Sequence, residues 1–216
     1  MRVLNRFLRL FRENGSYVVG THVTAFFFNS IRNYLLSRKF GVEKINIGPR
    51  SYLRGLSSMQ IGEDFSALEG LWLEALTSYN EQTFKPRIII GQHARISRFV
   101  HIAATHLVEI GNNVLIGSNV MITDHNHGQY SKQHSPPDIP PTIRPLDRDR
   151  QVYIGNNVWL GDGVVVTPGS SIGEGSVIGA NSVVLGNIPP FSIAAGVPAT
   201  VRKTFKFDVK EWGSPQ

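Results

Sequence analysis

The sequence predicts a mainly β chain wound as a parallel β-helix, and three observations predict it. First, Ile154, Leu160, Val166, Ile172, Ile178 and Val184 recur in steps of six. Second, two shorter runs keep that step: Ile90, Ile96, Ile102 and then Ile110, Ile116, Ile122. Third, the hexads share an internal pattern. A glycine follows the aliphatic at Ile90, Ile110, Ile116, Ile154, Leu160, Ile172 and Ile178. Four positions after the aliphatic stands a small or β-branched residue: Ala94, Val100, Val114, Val120, Val158, Val164, Ser170, Ser176 and Ser182. A period of six is neither the 3.6 of a helix nor the 2 of a single strand. It fits short strands joined by tight turns, three hexads to a triangular coil, with each aliphatic stacked on its equivalent one coil above. Glycine would supply the permissive backbone at the corners, and small residues would fit where the triangle narrows. Stacking would also pair each strand with the next and satisfy its backbone groups.

Along the chain, residues 1–45 read as an N-terminal helical extension. In the opening stretch Val3, Leu4, Phe7, Leu8, Leu10 and Phe11 recur at helical spacing between Arg2, Arg6, Arg9 and Arg12. Such a basic amphipathic helix suits either packing on its own protein or peripheral contact with an anionic membrane. Charges interrupt every apolar run short of a signal-peptide core. His22, Asn29 and Arg32 make Tyr17 to Leu36 too polar for a spanning helix. Residues 46–203 form the β-helical domain. Its first coils are irregular: Ile47–Gly48 and Ile61–Gly62 are degenerate hexads, and Leu71 to Pro86 breaks the rhythm. Residues 204–216 read as a tail in which Phe205, Phe207 and Trp212 would pack against the helix or a neighbour.

Composition narrows the chemistry. Cysteine is absent, which excludes disulfides, thiolate metal sites and a cysteine nucleophile. The formal charge of +6 favours anionic partners. Its 22 Lys and Arg are scattered, however, without a basic run interleaved with aromatics, so nucleic acid is not expected. A cytoplasmic protein is expected, with peripheral attachment to the inner face of the membrane through the N-terminal helix as the alternative.

Between Ile122 and Ile154 the repeat stops for 32 residues. This inserted loop, residues 123–153, is rich in proline and charge and reads as an extended excursion from a coil corner. Long loops on rigid scaffolds carry function. It opens with Thr123, Asp124, His125, Asn126, His127 and Gly128, a polar cluster leaving a buried strand. Acyl transfer from a thioester to an alcohol needs a base for the hydroxyl proton, which histidine supplies near neutral pH. It also needs donors for the oxyanion. No G-x-S-x-G elbow offers a covalent nucleophile, so direct transfer with a histidine base fits. Either His127 or His125 can be that base. Asp124 or a neighbouring carbonyl would hold the imidazole tautomer, and Asp124 and Asn126 are candidate acceptor-contacting residues.

The hexads resemble those of the bacterial hexapeptide acyltransferases, whose β-helix is left-handed. NVLIGSNVMITDHNH and IGNNVWLGDGVVV are similar to galactoside and maltose acetyltransferases, and ungapped from Asn113 their catalytic histidine falls on His127. The resemblance implies a homotrimer with sites between subunits, acetyl-CoA as co-substrate and no metal. It implies further that Gly161, Gly179 and Ala180 let the pantetheine arm lie close to backbone amides. Trp159 would wall the site, and Arg202 and Lys203 would meet the nucleotide phosphates. Leu185-Gly186 replaces a Thr-Lys pair common in the family, and Asp162 replaces a serine, so contacts with coenzyme A are expected to differ in detail. His101 and His106 have the spacing of two zinc ligands in β-helical carbonic anhydrases, but the third ligand position holds Phe65. They border either the acceptor pocket or an ordinary surface. The acceptor expected is a sugar hydroxyl of a cell-surface polysaccharide or its precursor. A xenobiotic acetyltransferase and a non-catalytic hexapeptide scaffold are the alternatives.

Overall fold

The computed structural model of the chain describes residues 27–130, 135–147 and 150–215. Within them the backbone is a left-handed parallel β-helix with three faces. The first runs Ile45–Ile47, Phe65–Ala67, Arg95–Ile96, Leu115–Ile116, Trp159–Leu160, Val177–Ile178 and Ser192–Gly196. The second runs Tyr52–Arg54, Trp72–Ala75, His101–Ala104, Met121–Thr123, Val165–Val166 and Val183–Val184. The third runs Met59–Ile61, Arg87–Ile90, Leu107–Ile110, Gln151–Ile154, Ser171–Ile172 and Asn187–Ile188. Pairing is parallel and in hexad register: Ile116 faces Ile96 and Leu160, and Ile122 faces Ile102 and Val166. The hexad aliphatics are all buried and form one continuous column, each worth about 1.5–3 kcal/mol of burial.

The glycines act differently from the expectation. Those following the aliphatics do not carry the left-handed backbone. They are needed because a Cβ at Gly111 would stand 2.7 Å from the backbone nitrogen of Asn156, and one at Gly161 2.7 Å from that of Ala180. The left-handed turn sits two residues later, on Asn113, Asn157 and Asn181 with φ of 57°, 58° and 57°, and on Gly163 and Gly175 with φ of 70° and 67°, so glycine supplies the permissive backbone at some corners only. Asparagine tolerates that region. At the neighbouring position its side chain also ties coils together: Asn156 Oδ1 accepts from the Asn112 amide at 2.7 Å, and Asn112 Oδ1 from the Gln92 amide at 2.8 Å.

The ends are capped. A helix over residues 27–40 lies across the first coil, burying Leu36 and packing Phe40 on the core. Its Arg32 guanidinium donates to the carbonyls of Ile47 and Gly48. The basic stretch Met1–Asn14 lies outside the described residues. At the other end Ala199–Lys206 runs antiparallel to Ser192–Gly196 and hairpins into Glu211–Gly213. The boundary expected at residue 203 therefore falls inside a strand. Phe205, Phe207 and Trp212 pack on one another and on Phe191.

Two insertions meet over the second face. The break after Leu71 contains a small hairpin, Ser78–Tyr79 with Gln82–Thr83. The long loop is less irregular than its prolines suggest. It turns through a 3-10 segment, Pro141–Ile143, and pairs His127 with Leu146 in an antiparallel bridge. Gln82 clamps Leu146 from both sides, accepting from its amide at 2.6 Å and donating to its carbonyl at 3.2 Å. Leu146 is thereby buried under the loop.

Candidate active site

The site begins at a corner with two residues too many. Ile102 and Ile110 are eight apart rather than six, and the surplus at Thr105 and His106 curls the backbone so that three consecutive amides point one way. Asp124, fully buried, fills that curl. Its carboxylate accepts from the amides of Thr105 (2.8 Å), His106 (2.7 Å) and Leu107 (2.8 Å) and from the Thr105 hydroxyl (3.2 Å). Three amides and a hydroxyl hold the ion where solvent does not reach it. The reading of Asp124 as an acceptor-contacting residue is therefore corrected: its oxygens are engaged internally and no acceptor can reach them. The remaining contact of Asp124 is with His125, whose Nδ1 lies 2.9 Å from Oδ1. A carboxylate only accepts, so the proton sits on Nδ1 and Nε2 is left as the free base.

His127, two residues on, is exposed and held by the hairpin. Its Nδ1 lies 3.2 Å from the Tyr79 hydroxyl, and the rings meet edge to face at 5.2 Å. The Tyr79 hydroxyl donates its one proton to the Thr142 carbonyl at 2.7 Å. Its oxygen can then only accept from His127, which again places the proton on Nδ1 and leaves Nε2 free. Both candidate bases thus hold the same tautomer by different means. Tyr130 adds a bond to the His127 carbonyl at 2.6 Å, and Arg144 donates to the Tyr130 hydroxyl at 3.0 Å.

Both histidines line a pocket of about 530 Å³ on the second face, floored by Trp72, Glu74, His101 and Thr123 and roofed by Tyr79 and Leu146. Asn126 borders this pocket and also a larger open groove of about 1050 Å³ between Arg150–Tyr153, Thr167–Ser171 and Leu185–Asn187. His101 faces the first pocket. Burial lowers its pKa, opposed by Glu74 and reinforced by His125, so the ring is neutral at pH 7. His106 is turned away and bonds Gln151 through Nε2 at 2.8 Å. Phe65 is in the core, and no cluster of three or more potential metal ligands occurs among the described residues.

The remaining predicted residues lie on the first face. Trp159 is half exposed, in register with Leu115 and Val177. The amides of Gly161 and Gly179 donate to the carbonyls of Ile178 and Ala194, both at 2.8 Å. Gly161 and Gly179 therefore offer a passing chain a surface free of side chains, with their own amides already engaged between coils. Arg202 and Lys203 are exposed on the terminal hairpin. Asp162 has a structural use: its Oδ1 accepts from the Ser118 amide at 2.6 Å. Sequence reasoning missed Tyr79, Gln82, Glu74, Trp72 and Thr105. Only the two-residue surplus after Ile102 was a signal for any of them.

A hexapeptide coil with tautomer-fixed histidines beside a pocket suits a transferase of acyl groups. The family model for the bacterial transferase hexapeptide (six repeats) matches residues 151–186. WbbJ of Escherichia coli (strain K12), assigned as a lipopolysaccharide biosynthesis O-acetyl transferase, is 40% identical over 188 residues, covering 86% of this chain and 92% of that one. A galactoside acetyltransferase in complex with coenzyme A is 28% identical with a TM-score of 0.53, covering 83% of this chain and 72% of that one. A hexapeptide-repeat acetyltransferase of Vibrio cholerae O1 biovar eltor, complexed with acetyl-CoA, shares the fold at 21% identity and a TM-score of 0.51, covering 82% and 78%. The chain belongs to the bacterial hexapeptide-repeat acetyltransferases and is an acetyl-CoA-dependent O-acetyltransferase.

Proposed function

We propose that the enzyme moves an acetyl group from acetyl-CoA to a hydroxyl of a cell-surface polysaccharide or its precursor, with His127 as general base. The observation that carries the base assignment is the Thr142–Tyr79–His127 relay, which leaves Nε2 of His127 free at the mouth of the pocket. In the reaction Nε2 takes the acceptor's hydroxyl proton as that oxygen attacks the thioester carbonyl. The tetrahedral oxyanion then collapses, the C–S bond breaks, and the thiolate leaves with the proton that the imidazolium returns. The saccharide acceptor is supported by the likeness to WbbJ. A second reading has its own observation: the Asp124–His125 pair would stabilise an imidazolium on His125.

We place the coenzyme A arm along Trp159, Gly161, Gly179 and Ala180, with Arg202 and Lys203 at the phosphates. The site is completed by a neighbouring solenoid in a homotrimer, and Asn126 lies on the acceptor side. Attachment to the inner face of the membrane is supported by the exposed apolar side of the helix over residues 27–40, Phe27, Phe28, Ile31, Tyr34 and Leu35. No helix among the described residues is long and apolar enough to cross a membrane.

The test is thiol release from acetyl-CoA with a saccharide panel, comparing wild type, His127→Ala and His125→Ala. Loss of turnover in His127→Ala alone is the expected result. Loss in His125→Ala alone transfers the role to the Asp124 pair. Turnover with antibiotics but no saccharide would overturn the acceptor assignment.

A further inference from the structure

The outer side of the second face carries aromatic rings in register on consecutive strands. Tyr52 pairs with Trp72, Trp72 with His101, and His101 with Met121. The Trp72 and His101 rings stack at 4.5 Å, and Tyr52 meets Trp72 edge to face at 5.7 Å. Tyr52 and Trp72 remain 49% and 46% exposed. This is an unusual amount of aromatic surface to leave in water.

The ladder starts inside the catalytic pocket, where Trp72 and His101 form the floor, and leads out of it toward the N-terminal coils. With strands about 4.8 Å apart, Tyr52 lies roughly 10 Å beyond His101.

Polar groups flank it. Glu74 is 8% exposed, and its carboxylate lies 3.6 Å from His101 Nε2, a charge contact longer than a hydrogen bond. That Nε2 is itself buried and unpartnered. Arg54, directly opposite Glu74 in register, makes no ion pair with it and also lines the pocket. Unsatisfied polar groups at a buried position are costly, and they are retained where a ligand satisfies them. A dry protein–protein contact would leave them unpaired. A pyranose brings apolar C–H groups for the rings and hydroxyls for a carboxylate.

We propose that the Tyr52–Trp72–His101 ladder, with Glu74 beside it, is a glycan subsite for the sugar units adjoining the one acetylated, so that the enzyme prefers a neutral oligosaccharide to a monosaccharide. This rests on the saccharide reading above. Trp72 and His101 contact the unit next to the reacting hydroxyl through their exposed edges, Glu74 accepts its hydroxyl protons, and Tyr52 holds the following unit.

The experiment uses the full chain with neutral glucosyl, galactosyl and rhamnosyl tetrasaccharides and the matching methyl glycosides. The ratio of kcat/KM for tetrasaccharide to that for methyl glycoside is expected to fall about tenfold in Tyr52→Ala, equivalent to about 1.4 kcal/mol. Tyr52→Phe should retain it. Binding is read separately on His127→Ala by saturation-transfer NMR: transfer to the tetrasaccharides is expected, and should be lost when Trp72→Ala is added. Transfer without any acetylation of saccharides would sink the reading of the reaction and leave the subsite standing. An unchanged length ratio in Tyr52→Ala, or no transfer to any tetrasaccharide, overturns the proposal. So does a ladder substitution that only dissociates the oligomer, which would make the ladder a contact between copies.

Discussion

Asp124→Asn isolates the corner on which the site is built. The carboxylate accepts from three backbone amides and one hydroxyl while fully buried, and also holds His125. An amide can preserve only part of this. With its oxygen at the Oδ2 position it keeps His106, Leu107 and, at 3.1 Å, Thr105, while its NH2 crowds the Thr105 amide and faces His125 Nδ1. The opposite orientation sets NH2 against two amide donors. In the better orientation three charge-assisted bonds become neutral, a loss of about 1 kcal/mol each and about 3 kcal/mol in all. For a chain of this size that lowers Tm by roughly 6–12 °C. Scanning calorimetry measures the shift, and hydrogen exchange should show lost protection at Thr105, His106 and Leu107. The same change sets a donor against Nδ1 of His125, forcing its proton to Nε2 and removing that base, while His127 keeps its own tautomer. Turnover retained at half or more of wild type, per folded protein, is therefore expected. A shift in Tm under about 2 °C would refute the account of the corner, and abolished turnover would move the base to His125.

Other expectations follow from the same geometry. Tyr79→Phe removes the acceptor that holds the His127 proton on Nδ1, and should lower kcat about tenfold by mispositioning and mixed tautomers with the KM for acetyl-CoA little changed in steady-state kinetics. Gly161→Ala places a Cβ 2.7 Å from the Ala180 backbone nitrogen, where backbone must move, so urea unfolding should show a loss of about 1–3 kcal/mol. Asp64 is held well below the usual carboxylate range by Lys44 first, then by Arg95 and His93. A depressed carboxylate contributes stability above its unfolded pKa of about 3.9 and loses it as pH falls toward the folded value. Tm should therefore decline below about pH 4, and Asp64→Asn should flatten that decline.

The hexad column and the place where the loop leaves it were legible in the sequence, because a six-residue period repeats one local environment many times. Ile110, Ile116 and Ile122 each meet the same neighbours as Ile154 or Leu160, so the pattern averages out local exceptions. The loop histidines were legible for the opposite reason: they stand where the repeat is broken. What only the tertiary structure decided is which groups those histidines meet. Tyr79 lies 48 residues from His127, Thr142 lies 63 from Tyr79, and the amides of Thr105 to Leu107 lie 17–19 from Asp124. None of these pairings is periodic. They arise because the parallel coil stacks strands a full turn apart, so contacts across coils and between insertions depend on how many residues each turn and loop holds. The same holds for Tyr52, Trp72 and His101, separated in sequence by irregular spacings and brought into one ladder by strand register alone.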